Sequence, residues 1–380
     1  MPVYLASIGY SFVWIGLLEG VAEATAGISK GYFGQVSDQI GKRLPFIQLG
    51  YGLSAFARVI LAFANSIAPV FVSRIADRIG KGIRTASRDA LLAADVDKKN
   101  MAKVFGFHRA FDTIGAAVGP MIALAYLHFY PQDYKGLFVF AVVPTAASAL
   151  LTLVLREKKS SPAIQNVIGE DSNQGERMKV GLFTFIKYWK IAPPSYRKLV
   201  TALFIFTLMN SSDVFLLLAI KKLNFTDIQM IEIYIFYNLC YALLSFPIGS
   251  LADRIGKYKV LMIGLFLFCI TYGGMYYLLS QSVKPEISVL FFIFFIYALY
   301  AACSEGVVKA IISSAIADNQ RGTALGFYTG MSSVFALLAS VWTGIVWTHY
   351  NSSIAFLISA VGGVIAGLIL TNHKLKILTS

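Results

Sequence analysis

Charge is scarce in this sequence. Only 14% of the 380 residues are Asp, Glu, Lys or Arg, against 57% hydrophobic, and the mean hydropathy is +0.67. Soluble globular chains carry about a quarter of their residues as charges, so this balance excludes a soluble domain and indicates a polytopic membrane protein. Cysteine is scarcer still, and Cys240, Cys269 and Cys303 all lie within apolar runs. Their number and spacing exclude a disulfide framework and a zinc site and leave them as small core residues. The four histidines, His108, His128, His349 and His373, make no HExxH or related spacing, and no nucleophile–base pair stands out. Enzyme chemistry, with or without a cofactor, therefore has no candidate site. The Gly–Lys pairs at 41–42, 80–81 and 256–257 lack the preceding glycine and following Ser or Thr of a phosphate loop, which argues against an ATP-driven pump. A basic stretch before the first apolar run is also missing, so no cleavable signal is expected.

What the sequence has in quantity is apolar runs of membrane-spanning length. They fall near 12–30, 46–66, 68–92, 104–127, 136–155, 198–219, 229–248, 260–280, 287–308, 323–347 and 352–371, eleven in all. The 33 basic residues outnumber the 20 acidic ones, a net charge of +13. That excess collects in the loops at 34–45, 93–103, 156–197, 249–259 and 309–322, whereas the alternate loops hold only Lys135, Lys221, Lys222 and Lys284. Such alternation is the mark of cytoplasmic loops in a bilayer, not of nucleic-acid binding. Trp14, Trp342, Trp347 and Tyr350 fall near the expected membrane boundaries, where aromatic belts form.

Two polar hinges repeat. Gly34 to Arg43, GQVSDQIGKR, and Gly249 to Lys259, GSLADRIGKYK, align Gly34 with Gly249, Asp38 with Asp253, Gly41 with Gly256 and Lys42 with Lys257, a constant offset of 215 residues. A second echo pairs GFHRAFDTIGAAVGP at 106–120 with GFYTGMSSVFALLAS at 326–340, offset by 220. The repeat divides the chain into an N-terminal bundle, 1–155, a polar linker, 156–197, and a C-terminal bundle, 198–380, as in duplicated transporters. The N-terminal bundle holds one span fewer than its partner, five against six, so the expectation is twelve helices with the first absent from the chain as given; a native five-plus-six arrangement is the alternative. Within the linker, VGLFTFIKYWK at 180–190 alternates apolar and basic residues and suits a short interfacial helix with Trp189 at headgroup depth; an ordinary helical loop is the plainer reading. Within the hinges, glycine permits tight turns and close approach, and Asp38 can cap a helix or accept an arginine. Gly115 and Gly119, followed by Pro120, have the small-residue spacing that permits close helix approach.

Charges inside the spans are the candidate site. Arg74, Asp77, Arg78, Lys81, Arg84 and Arg88 recur every three or four residues on one face of the third span. A stripe of about 21 Å at 1.5 Å per residue cannot face lipid. Either its upper part lines a water-filled cavity, or the helix extends out of the membrane and its lower part is solvated, with Arg84 and Arg88 as anchors. Other candidates are Glu19 and Glu23 one turn apart, Arg58 alone, His108, Arg109 and Asp112 clustered, Asp213, and the pair Glu305 and Lys309. For Arg109 with Asp112 and Glu305 with Lys309, an ion pair that orients helices is as reasonable as a transport role.

At its hinges the sequence resembles the major facilitator superfamily, whose recurrent loop after the second and eighth helices reads G-x-[VL]-[SA]-D-x-I-G-K. Arg74 with Gly80 and Gly82 is similar to that family's fourth-helix motif, Gly115, Gly119 and Pro120 to its fifth-helix antiporter motif, and Arg321, Gly322 and Gly326 to the loop entering the eleventh helix. RIADRIGKGIRTASRDALLA, FGFHRAFDTIGAAVGP, NSSDVFLLL and RGTALGFY resemble one bacterial branch of efflux permeases. The resemblance implies two six-helix bundles rocking about a central site. It further implies that Asp38 and Asp253 engage neighbouring helices, and that the spans of Arg74, Asp213 and Glu305 line the cavity. The expectation is thus a monomeric, multi-pass transporter of the bacterial inner membrane, exporting a small molecule against a coupling proton. An excess of Arg58, Arg74, Arg78 and Arg109 over nearby acids points to an anionic or zwitterionic substrate, with a lipophilic cation as the rival. Uptake of an organic anion by the same fold, or a sensor or scaffold that does not transport, are the alternatives.

Overall fold

The computed structural model describes residues 12–64, 66–94, 96–131, 133–157, 181, 183–210, 213–281 and 284–371. Among the described residues, twelve helices of ten residues or more carry the architecture: α1 Phe12–Ile40, α2 Leu44–Ala62, α3 Ile67–Ala94, α4 Met101–Phe129, α5 Tyr134–Val154, α6 Pro194–Met209, α7 Asp213–Lys222, α8 Asp227–Ile255, α9 Lys257–Ser280, α10 Ile287–Ala315, α11 Arg321–His349 and α12 Ser352–Thr371. Among the described residues, nine helical stretches are long and apolar enough to cross a membrane, α6 and α7 counting as one. The charges of α3 keep it out of that set. Long apolar helices are what a bilayer demands, because every backbone polar group must find its partner inside its own segment.

The described residues form two compact units. One contains the described residues within Met1–Leu91, Tyr134–Ile191 and Asn319–Gly330, and the other those within Leu92–Asp133, Ala192–Asp318 and Met331–Ser380. In the first, α2 packs on α5, and Leu61, Ala64 and Val70 make a small apolar core with Phe71, Tyr134 and Phe138. Backbone meets backbone where α2 crosses α3: a methyl group at Gly50 would stand 2.6 Å from the Gly80 carbonyl oxygen, and one at Gly80 2.7 Å from that of Gly50. In the second unit α8 packs on α4 and α10, and α9 on α10 and α12. Its core is aromatic, with Phe268 stacked on Tyr272 at 4.1 Å and Phe206 edge-on to Phe268 at 4.8 Å. Cys303 is buried there and Cys240 and Cys269 half-buried, all three as free thiols. Trp342 donates its indole N–H to the Leu208 carbonyl at 2.6 Å and Trp347 tilts against Phe215, whereas Tyr350 is exposed. Trp14 lies outside the residues whose side chains are described.

Three expectations change. The hinges are mostly helix: α1 runs through Ile40 and α8 through Ile255, so the connections shrink to Gly41–Arg43 and to Gly256. Helix stops at both places because the glycine takes positive φ, 68° at Gly41 and 107° at Gly256, which a β-carbon resists. The span expected at 198–219 is broken, α6 ending at Met209 and α7 starting at Asp213. Asn210 leaves the helix with an extended backbone, and its side chain accepts from the Tyr272 hydroxyl and donates to that of Tyr300. Close approach at Gly115 and Gly119 is not found, since no described atom lies within 4 Å of a methyl group built at either position.

Because both hinge glycines hold φ values hostile to a side chain, Gly41→Ala and Gly256→Ala should each destabilise the purified protein, by about 1–2 kcal/mol. Gly273→Ala, at a helical position open within 4 Å, should leave the thermal midpoint unchanged or raise it. Equal midpoints for all three variants would show that backbone conformation does not set the hinges.

Candidate functional site: hinge carboxylates and intramembrane ion pairs

The first four N–H groups of a helix lack intrahelical acceptors, and an Asp at that end supplies them. Both hinges use this, on a helix distant in sequence. Asp38 of α1 accepts from the backbone N–H of Gly322 at 3.1 Å and of Thr323 at 2.6 Å, and from the Thr323 hydroxyl at 2.8 Å, all at the start of α11. Asp253 of α8 accepts from Ala102 at 3.1 Å and Lys103 at 2.7 Å, at the start of α4. The capped residues are themselves repeat partners, each pair 220 residues apart. A basic residue backs each carboxylate: Arg43 stands 3.6 Å from Asp38, and Lys257 stands 3.1 Å from Asp253 while donating to the Lys98 carbonyl.

Glycine makes the approach possible. Methyl groups at Gly34 and Gly249 would run into the carbonyl oxygens of Gly322 and Ala102, equivalent positions in the two clasps. Further along α11, Gly326 and Gly330 sit so close to α1 that a methyl group would lie 2.5 Å from the Lys30 oxygen and 2.7 Å from that of Gly27. On α4 the like role falls to Gly106, against the Ser245 carbonyl. Arg321 opens α11 as a buried side chain, and Lys42 is exposed at the turn. Arg43 also donates to the Ala90 carbonyl, and its backbone N–H, with that of Leu44, bonds the Glu157 carboxylate at 3.0–3.1 Å. Glu157 thereby caps α2 across more than a hundred residues of chain, a role that nothing local in sequence signals.

Asp38 is only 4% exposed. Burial pushes its carboxyl up from the ordinary 3.8 to about 6, against the opposing pull of Thr323, Arg43 and Gly322. It therefore titrates around pH 6.

The charged stripe of α3 is answered by its neighbours. Arg78 pairs with Glu23 of α1 at 2.9 Å, Asp77 faces Arg58 of α2 at 4.0 Å, and Arg84 donates to Ser54 at 2.6 Å while lying over the Tyr51 ring. Arg84 is thus held inside the unit by α2, as is Ser73, which bonds the Ala57 carbonyl. Arg88 meets the buried Asp89 at 3.3 Å. Arg74 is half-buried on the same stripe. The side chain of Glu19 lies outside the described residues.

In the second unit one arginine gathers three groups. Arg109 of α4 reaches Glu305 of α10 at 2.6 Å, Asp112 at 3.2 Å and the Tyr241 hydroxyl of α8 at 2.6 Å. The expected Arg109–Asp112 pair is present, and Glu305 turns to Arg109, with Lys309 half-buried one turn along α10. Glu305 is nevertheless 48% exposed and Asp112 52%, so both carboxylates can meet solvent or solute. Asp213, also exposed at the start of α7, accepts from Tyr297 at 2.6 Å. Tyr241, Tyr297 and Asn210 are the polar partners that sequence reading missed, because aromatic and amide residues inside apolar runs look like ordinary core.

A family model described as Major Facilitator Superfamily matches residues 1–240 and 199–372. An uncharacterised MFS-type transporter of Methanocaldococcus jannaschii is 31% identical over 97% of this chain and 88% of its own length. The multidrug resistance protein MdtG of Proteus mirabilis is 26% identical over 70% of this chain and 66% of its own. Among solved structures, the human organic anion transporter MFSD10 superposes with a TM-score of 0.74 over 97% of this chain and 87% of its own, at 17% identity.

Since folding raises the Asp38 pKa, the folded protein holds that proton more tightly than the unfolded chain does. Its contribution to stability is present below pH 3.8 and lost as pH rises through about 6. A thermal midpoint followed across this range should carry that component in the wild type and lose it in Asp38→Asn; identical slopes would contradict the assignment. Asp253→Ala strips the acceptor from Ala102 and Lys103, and a loss of about 0.5–2 kcal/mol is expected for a helix cap.

Proposed function

The chain belongs to the Major Facilitator Superfamily, and on that premise we propose that it is a secondary active transporter that exports a small organic molecule in exchange for protons. The observation that carries the reading is the reciprocal capping: each hinge carboxylate, Asp38 or Asp253, holds the first N–H groups of a helix from the other repeat. A contact of this kind, made of a few hydrogen bonds and close glycines, can be broken and remade within a transport cycle, so it serves as a gate. The halves 1–155 and 198–380, joined by 156–197, then alternate in exposing the site to either side of the bacterial inner membrane, within one monomer.

Proton coupling falls to carboxylates that exchange partners. Asp112 and Glu305 share Arg109 while remaining exposed, so binding of substrate to Arg109 would release a carboxylate to take a proton. Its affinity for that proton depends on the state of the pair, which is the requirement for coupling. Glu23 with Arg78 and Asp77 with Arg58 offer the same exchange on the other repeat. These pairings reduce the net positive charge of the arginine set, so zwitterions stand ahead of simple anions as substrates. Support for export comes from the fifth-helix motif resemblance and from the likeness to MdtG, a multidrug resistance protein.

The test is flux in proteoliposomes under an imposed proton gradient, with a panel of zwitterionic, anionic and cationic compounds. Saturable, gradient-dependent movement of a panel member is expected in the wild type. Glu305→Gln and Asp112→Asn should uncouple it, leaving slow equilibration without accumulation. Absence of saturable flux for every compound would favour a sensor or scaffold, and accumulation driven inward by the physiological gradient would reverse the direction.

A further inference from the structure

Outside the intramembrane charges, the first unit holds a cavity of about 600 Å³ beside the Asp38 clasp. Three elements wall it. The end of α1 contributes Gln35, Asp38 and Gln39, the start of α11 and the turn before it contribute Asn319, Gln320 and Thr323, and the described end of the linker contributes Thr184, Lys187, Tyr188, Lys190 and Ile191. That linker segment is a 3-10 turn, Thr184–Lys187, running into one α-turn, Tyr188–Ile191. It is tied down by aromatic packing: Phe185 lies flush on Gly31, and Trp189 stacks on Phe327 at 5.8 Å. With Phe185 and Tyr188 facing inward, Lys187 and Lys190 are turned to the cavity, and Phe183, Ile186 and Ile191 are left exposed, Ile191 by 72%.

The chemistry of this cavity is that of an oxyanion site. Two ammonium groups and several carboxamides face it, while the Asp38 oxygens are already engaged by Gly322, Thr323 and Arg43. Gln35 is the independent sign. It is only 8% exposed, its Oε1 is buried, and that atom, an acceptor, has no hydrogen-bond partner among the described residues. A buried carboxamide oxygen without its donor costs free energy, and one that lines a cavity is accounted for by a ligand that brings a hydroxyl to it. The volume is several times that of a phosphate and in the range of organic ligand sites. Ile191 at its rim, with the exposed Phe183 and Ile186 of the same linker segment, matches the acyl side of a membrane interface.

We propose that this cavity binds a hydroxyl-bearing phosphate-ester anion, its phosphate held by Lys187 and Lys190 and its hydroxyl donating to Gln35 Oε1, and that its rim fits it to the headgroup of an anionic phospholipid such as phosphatidylglycerol. Asp38 and Thr323 form part of the wall, so a bound headgroup braces the α1–α11 clasp. The binding claim stands on the cavity alone; only its consequence for transport rests on the gate described above, and the experiment therefore reads binding.

Detergent-purified full-length protein is titrated with dihexanoyl-phosphatidylglycerol, dihexanoyl-phosphatidylcholine and glycerol 3-phosphate, with native mass spectrometry and thermal shift as readouts. Phosphatidylglycerol should bind and phosphatidylcholine should not. Each cation near an anionic headgroup contributes about a fivefold change in affinity, so Lys187→Gln with Lys190→Gln should weaken binding about 25-fold. Both lysines are exposed, so the double variant should fold unaltered. Gln35→Leu should weaken binding about fivefold yet hold or raise the ligand-free thermal midpoint, a combination that a packing role would not produce. Binding of glycerol 3-phosphate with the same variant losses supports the site and assigns it a soluble phosphate ester. Equal phosphatidylglycerol affinity in the wild type and the double variant, or no binding of either phosphate ester, overturns the proposal.

Discussion

A carboxylate placed on the open N–H groups of a helix from the other half of the sequence is the interaction on which this structure turns. Each of the two contacts joins three effects that separately are modest. The side-chain oxygens replace missing intrahelical acceptors, the negative charge meets the positive end of the helix dipole, and a neighbouring Arg43 or Lys257 limits the cost of burying that charge. None works unless the backbones nearly touch, which is why the contact surfaces are glycine: Gly34 against Gly322 and Gly249 against Ala102.

The same logic of satisfied charge governs the helix interiors. An arginine deep in an apolar bundle needs a partner, and α3 obtains its partners from α1 and α2 through Glu23, Arg58 and Ser54. Arg109 obtains three from α4, α8 and α10. Pairing orients the helices, while the exposure of Glu305 and Asp112 leaves part of each pair open to exchange. One arrangement can thus supply both fold specificity and a route for charge, so the structural and functional readings of these residues do not compete.

Legibility differed by the range of the interaction. Hinge glycines, the i, i+3, i+4 stripe and the Arg109–Asp112 pair are local patterns, and periodicity exposes them directly. Glu157 capping α2, Tyr241 on Arg109, Tyr297 on Asp213 and Gln35 in its cavity join residues far apart in the chain or leave one without a partner among the described residues. The break before α7 was hidden for a related reason: Asn210 leaves the helix among hydroxyls of Tyr272 and Tyr300, which come from other helices.

The sequence by itself determined that the protein is helical and membrane-embedded and that its hinge motif recurs, because apolar length, basic-loop alternation and a repeated motif are properties of short segments read in order. It also marked Asp38 and Asp253 as equivalent. Only the tertiary structure decided what each Asp meets, which helix starts they cap and that Glu305 joins Asp112 on Arg109. Those choices depend on backbones approaching to van der Waals contact across more than a hundred residues of chain, a distance that no local pattern encodes.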